Sequence, residues 1–226
     1  MPIQLNRTEA TWGLRYMLFQ LAFLPSLVLT ALQWIVPQVT AVALDVTCWS
    51  INFCVVCGIF HSFLWTSLKY SFKNVLKVLL TALAGFGIYW VLNMALNYVL
   101  ARLFPQFFNV NDAHVAVAVG QSYPLMFLGA VVLVPMTEEL FYRGVTFGLL
   151  YNRNRWLAYG VSVILFGAIH VAGYIGHYEP LHLLICFLQY LPAGLVLAGA
   201  FEYSGSIFAP TLIHMAVNAI AISSMR

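Results

Sequence analysis

Pro135-Met136-Thr137-Glu138-Glu139-Leu140-Phe141-Tyr142-Arg143-Gly144 lies inside an apolar run over 123–150. A helix crosses the hydrocarbon core of a bilayer with about 20 apolar residues, so this run is long enough to span. Each charged side chain at bilayer depth costs at least about 2.5–3.5 kcal/mol on insertion scales. Two adjacent carboxylates and an arginine placed there require a compensating use.

The rest of the chain reads the same way. It has 226 residues, of which 62% are hydrophobic and 8% charged, where an average soluble domain is about 25% charged. This composition defines an all-α, polytopic membrane protein. Apolar runs predict about seven transmembrane helices near 14–36, 42–66, 76–103, 123–150, 156–175, 181–201 and 206–224, bundled around a polar intramembrane cavity. Pro37, Pro105, the Glu179-Pro180 pair and Tyr203-Ser204-Gly205-Ser206 mark borders. Arg7, Arg15, Lys69, Lys73, Lys77, Arg153 and Arg155 place the N-terminus and the 67–77 and 151–155 segments in the cytoplasm. The 104–121 segment, with Asn109, Asn111, Asp112 and His114, then reads as a solvated outer loop. Arg226 falls outside as well. The first apolar run is too long for a cleaved signal and reads as a retained span. Small size and short loops lean towards a bacterial cell membrane.

A net charge of +3 is topological and too sparse for nucleic acid. Cys54 and Cys57 form a CxxC inside an apolar span; with Cys48 and Cys186 they read as small apolar side chains, without a disulfide framework. Residues 1–226 form one domain, in which 1–120 support and 121–226 carry the chemistry. The first part shows little charge within its spans apart from Asp45 and His61.

Glu138 and Glu139 diverge by about 100° on a helix, so they cannot share one task. Glu139 and Arg143 stand four apart with the acid first, the favourable order for an ion pair. Glu138 is left to face a cavity as a general base. Pro135, three residues earlier, can re-aim that turn. Phe166 and His170 share one face of a later span, as do His214 and Asn218 of the last. Asn218 can orient a polar group beside His214 or hold a substrate carbonyl. Glu138, His170 and His214 form a donor set of the kind that holds Zn2+ with water in the open position. The same residues also work without metal, with Glu138 activating water and His214 and Asn218 stabilising the oxyanion. The spacing leaves both routes open.

Glu-Glu-x-x-x-Arg at 138–143, Phe-x-x-x-His at 166–170 and His-x-x-x-Asn at 214–218, in this order on apolar helices, resemble the CAAX protease and bacteriocin-processing (Abi) family of intramembrane proteases. The flanking Phe141-Tyr142-Arg143-Gly144 and Ser206 to His214 are also similar. The resemblance covers residues 120–224; the first half matches no member. It implies an intramembrane metalloprotease of the CAAX prenyl protease 2 type, acting on a membrane-associated peptide or protein. Glu138 would activate water, His170 and His214 would be metal ligands or oxyanion stabilisers, Asn218 would assist, and Glu139 with Arg143 would support. Substrates of such relatives are prenylated CAAX tails, pheromones or bacteriocin-related peptides. Two rivals come from other classes. One is a proton or ion pathway through the same Glu and His residues. The other is a non-catalytic scaffold or bacteriocin self-immunity protein that keeps the fold. His177, Glu179 and His182 read as a polar loop rim, and His61 and His114 as isolated hydrogen-bonding groups.

Overall fold

The computed structural model describes residues 2–36 and 38–226; Pro37, expected to border the first span, lies outside them. The described residues form helices α1 (Arg7–Ala22), α2 (Leu24–Gln33), α3 (Ala41–Ile59), α4 (His61–Lys73), α5 (Val75–Leu103) and α6 (Val110–Gln121), then α7 (Tyr123–Tyr151), α8 (Arg155–Ala172), α9 (Pro180–Ser204) and α10 (Phe208–Ser224). Among the described residues there is no named strand. Five helices are long and apolar enough to cross a membrane, or six if α1 and α2 are one span bent by 56°. The shorter apolar α10 brings the embedded segments to the expected number. The chain is an all-helical integral membrane protein.

The first two expected spans are broken. Pro25 stands at the start of α2, and the chain bends at Phe23. The second run divides at Phe60 into α3 and α4. A single buried acid explains how these pieces are held. Glu9 is 4% exposed. Its Oε2 accepts from the Asn6 amide while Asn6 caps Glu9, closing a reciprocal box at the start of α1. Its Oε1 accepts from the Phe63 amide at 2.8 Å, satisfying an orphan donor in the first turn of α4. The first part of the chain therefore holds a buried acid in Glu9, whereas Asp45 is half-buried and His61 exposed.

The expected outer loop over 104–121 is largely helical. Asn109 caps α6 through the amides of Asn111 and Asp112. Ala118 and Val119 pack with Val42, Met126 and Ile222. The capping residue and apolar face outweigh the polar composition that suggested a loop.

The inner helix is α7. Half of its most apolar stretch is buried, against 17% in α3 and α5, which face outward. It is wound unevenly, with π turns at Gly129–Leu133 and Leu140–Phe147 flanking Val134–Glu139. The amide of Val134 reaches back to the Gly129 carbonyl and that of Gly148 to the Arg143 carbonyl, five residues in each case. Widened turns of this kind re-aim side chains and recur at functional sites. Pro135 stands just after the first. Gly129 is required there, because a Cβ would overlap the Trp49 ring of α3.

Around α7, helix α9 packs along α5 and α8, and α10 lies against α5, α7 and α9. Two polar clusters fasten one end of the bundle. Glu202 accepts from Tyr151, Tyr159 and Arg155, tying α7, α8 and α9. Ser67 and Ser206 supply hydroxyls to the Ile207 and Phe208 amides at the entry to α10, which answers those orphan donors without water.

Candidate active site

Glu138 and Glu139 leave α7 in different directions. Glu139 is fully buried, and its Oε1 accepts from Arg143 Nη1 at 3.1 Å, the expected ion pair. Arg143 is equally buried. Its Nη2 donates to the Gly194 carbonyl of α9 at 3.1 Å, and its guanidinium lies 4.6 Å from the Phe166 ring centroid. A charge pair with no water survives when further hydrogen bonds hold both partners. Gly194 lets α9 lie close against α8, since a Cβ there would come within 3.0 Å of the Val163 side chain.

Helix α10 delivers His214 to the same place. Its Nδ1 lies 2.9 Å from Glu139 Oε1, and its Nε2 lies 3.9 Å from Glu138 Oε2. A carboxylate only accepts, so Nδ1 carries the hydrogen and Nε2 is turned towards Glu138. One imidazole thus bridges the two acids. Glu138 differs from Glu139 in access: its side chain is 20% exposed and lines a cavity of about 150 Å³ with Gln20, Trp49, Asn52 and Thr137. Glu138 Oε2, Glu139 Oε2 and Arg143 Nε are buried without a hydrogen-bond partner among the described residues.

His170 joins the group through ring contacts. Its Nδ1 lies 2.7 Å from the Phe166 carbonyl, one turn back on α8. That carbonyl fixes the hydrogen on Nδ1 and leaves Nε2 as an acceptor in the neutral ring. Phe166 is the hub: its ring centroid is 4.9 Å from His170 and 5.6 Å from His214. On its other face His170 stacks on Tyr190 of α9 at 4.1 Å. Asn218 reaches the other way, donating from Nδ2 to the Ala130 carbonyl at 2.8 Å, inside the first π turn. One amide hydrogen is spent on that carbonyl and the second is left for a ligand. A second cavity, of about 320 Å³, touches His170, His214 and Asn218.

Of the six expected site residues, Glu138 lines the smaller cavity, His170, His214 and Asn218 line the larger, and Glu139 and Arg143 are buried. Glu138, Glu139, Arg143 and His214 are in direct contact, and His170 is linked through Phe166. Tyr190 and the Gly194 carbonyl went unseen in the sequence, because α9 carries no charged residue at this depth. Gln20 and Asn52, which hydrogen-bond each other at 3.2 Å beside Glu138, were visible as amides within apolar runs.

Both histidines have the orientation of metal ligands, with Nδ1 held by an oxygen and Nε2 outward. The donor set nonetheless does not fit zinc as it is arranged. Among the described residues no three His, Cys, Asp or Glu side chains are grouped to hold a metal ion. The four cysteines are free, and Cys54 is exposed. Three of the other histidines have partners of their own: His61 Nδ1 the Gly58 carbonyl, His182 Nε2 the Phe108 carbonyl, and His114 the carboxylate of Asp45 at 3.9 Å.

Residues 120–220 match the family described as "Type II CAAX prenyl endopeptidase Rce1-like". The matched segment contains all three motifs, and the resemblance to CAAX protease and bacteriocin-processing proteins holds over it. The chain is also 26% identical over 103 residues to "Putative membrane peptidase YdiL" of Bacillus subtilis (strain 168). That alignment takes in 45% of this chain and 38% of the relative, so it spans less than half of either. No solved structure matches the chain.

Proposed function

We propose that this protein is an intramembrane endopeptidase that hydrolyses a peptide bond in a membrane-associated peptide or protein, with Glu138 activating water. The observation that carries the reading is the imidazole of His214 set between two carboxylates, one locked by Arg143 and one open to a cavity. A purely structural pair is complete in Glu139 and Arg143 and has no need of a second acid lining a cavity. The likeness to a CAAX prenyl endopeptidase family and to a protein named as a membrane peptidase supports the same reaction class.

The residues divide the work as follows. A water on Glu138 loses a proton to the carboxylate as its oxygen bonds to the scissile carbonyl carbon. The C–N bond then breaks, and the proton passes to the leaving nitrogen. His170 accepts the second water hydrogen at Nε2 and orients the nucleophile. With Nδ1–H on Glu139, His214 offers an N–H at Nε2 only as the imidazolium. That form balances Glu138, Glu139 and Arg143 as two negative and two positive charges, and it donates to the oxyanion with the free Asn218 amide hydrogen. Glu139 and Arg143 hold His214 in place and touch no substrate. No step runs through a metal.

The matched family's name supports a CAAX-like tail as the substrate; a pheromone- or bacteriocin-like peptide presented at a membrane is the alternative that the motif resemblance suggests. Lys and Arg distribution supports a cytoplasmic N-terminus. The test is a mass-spectrometric search for products from a membrane-peptide library incubated with protein in liposomes made up in oxygen-18 water. Hydrolysis predicts one oxygen-18 in each new carboxyl group. Absence of products, with ion or proton flux through the same liposomes, would overturn the reading in favour of a transport pathway.

A further inference from the structure

The larger cavity, on the α6 side of His170 and His214, is walled by groups that the reaction does not use. Asn93 and Asn97 come from α5, Asn109 and Asp112 from the α6 start, and Gln189 and Tyr190 from α9. Its volume of about 320 Å³ lies at the lower end of ligand pockets, which run about 300–1,000 Å³. Amides and a carboxylate lining a bundle of apolar helices ask for an explanation.

Part of the set is accounted for by helix packing. Gln189 donates to Asn97 at 2.9 Å and accepts from Asn109 at 2.8 Å, while Tyr190 donates to Asn109 Oδ1 at 3.2 Å. Such a chain of directed bonds ties α5, α9 and α6 together, as side-chain amides do between membrane helices. It also fixes the ring of Tyr190 that stacks on His170. Asn93 and Asp112 are left over. Asp112 takes part in the α6 cap through its backbone amide alone, and no ion pair among the described residues includes it. Among the described residues it is the only aspartate, glutamate, lysine or arginine in the lining.

We infer that this cavity is the substrate's polar subsite, and that Asp112 selects a peptide with a basic side chain, lysine or arginine, on the α6 side of the scissile bond. The inference rests on the peptidase reading, and it names the substrate class more narrowly. The amides suit an extended peptide: Asn93 and the free hydrogen of Asn218 can meet backbone carbonyls, while Asp112 supplies the opposite charge. Asp112 is exposed at the start of α6 and lines the cavity, so a cation entering there can reach its carboxylate.

The test separates binding from cleavage. Fluorescent nonapeptides of neutral background, with lysine, alanine or glutamate scanned along the chain, are titrated in detergent against the Glu138→Gln protein and read by anisotropy. At one position lysine binds about tenfold tighter than glutamate, the scale of one partly screened charge pair. Asp112→Asn, which keeps the shape of the side chain, removes most of that preference, and Asp112→Lys inverts it. Each variant is checked for a monodisperse, helical protein first. The inference is overturned if no position shows a preference, if the preference survives Asp112→Asn, or if no peptide binds. Charge-selective binding with no cleavage by the wild-type protein leaves the subsite standing and removes the peptidase reading instead.

Discussion

Replacing Arg143 with methionine removes the cation that holds the site and leaves its volume largely filled. The guanidinium bonds Glu139 Oε1 and the Gly194 carbonyl, each at 3.1 Å, and faces the Phe166 ring at 4.6 Å, all without solvent. Breaking a buried pair by deleting one partner costs about 3–5 kcal/mol, because the remaining charge has no water to return to. His214 still donates to Glu139, and the Gly194 carbonyl sits within a helix, so the lower end, about 3 kcal/mol, is expected. Glu139→Gln strands the arginine in the same way. In the double variant Glu139→Gln/Arg143→Met neither charge is stranded, and the loss falls short of the sum by about 2–3 kcal/mol. The assay is equilibrium unfolding in mixed micelles, followed by circular dichroism, for the four proteins of the cycle. Single variants within about 1 kcal/mol of wild type, or additivity within about 0.5 kcal/mol, would refute the assignment of these residues as one buried unit.

Other parts of the structure give sharper local outcomes. Glu9→Ala leaves the Asn6 and Phe63 amides without acceptors, and stability falls by about 1–3 kcal/mol with cleavage retained; an unchanged melting point would contradict the shared cap. Gly129→Ala forces a methyl into the Trp49 ring and costs about 1–3 kcal/mol unless α3 shifts, which the melting temperature reads directly. His170→Ala and His214→Ala each abolish cleavage with helicity intact, and full activity in either removes that residue from the site. Because the donors are not grouped for a metal, chelator dialysis leaves the cleavage rate unchanged. Loss on chelation and recovery with zinc would show that the arrangement closes around an ion.

Hydropathy and short-range spacing carried most of what could be read in the chain. The apolar runs became α5 and α7 to α10 with small changes at their ends, because burial in lipid is decided by composition over some 20 residues. Glu139 with Arg143 was legible because a four-residue separation on a helix is itself a contact. Other features depend on distant partners. The first π turn of α7 is packed against α3 and α10, where Gly129 meets Trp49 and Asn218 bonds Ala130. Glu9 stands ahead of the first apolar run, and only the fold brings Phe63 to it. In α6 the amide and acid residues suggested a loop, yet Asn109 caps the helix that they begin. Asn218 was expected beside His214, and half of its donor capacity goes instead to the α7 backbone. Tyr190 is an aromatic among many in an apolar run, and its stack on His170 has no signature within α9.

The central claim is that Glu138 is the base of a peptide hydrolysis. Glu138→Gln keeps the side chain's size and removes its ability to take a proton. The decisive measurement is kcat for a cleaved peptide with wild-type and Glu138→Gln protein, at saturating substrate and beside matched melting curves. Loss of a general base predicts a fall of about 100-fold or more, with the fold unchanged and peptide still bound. A variant that cleaves within a few-fold of wild type would contradict the account, whatever the rest of the geometry.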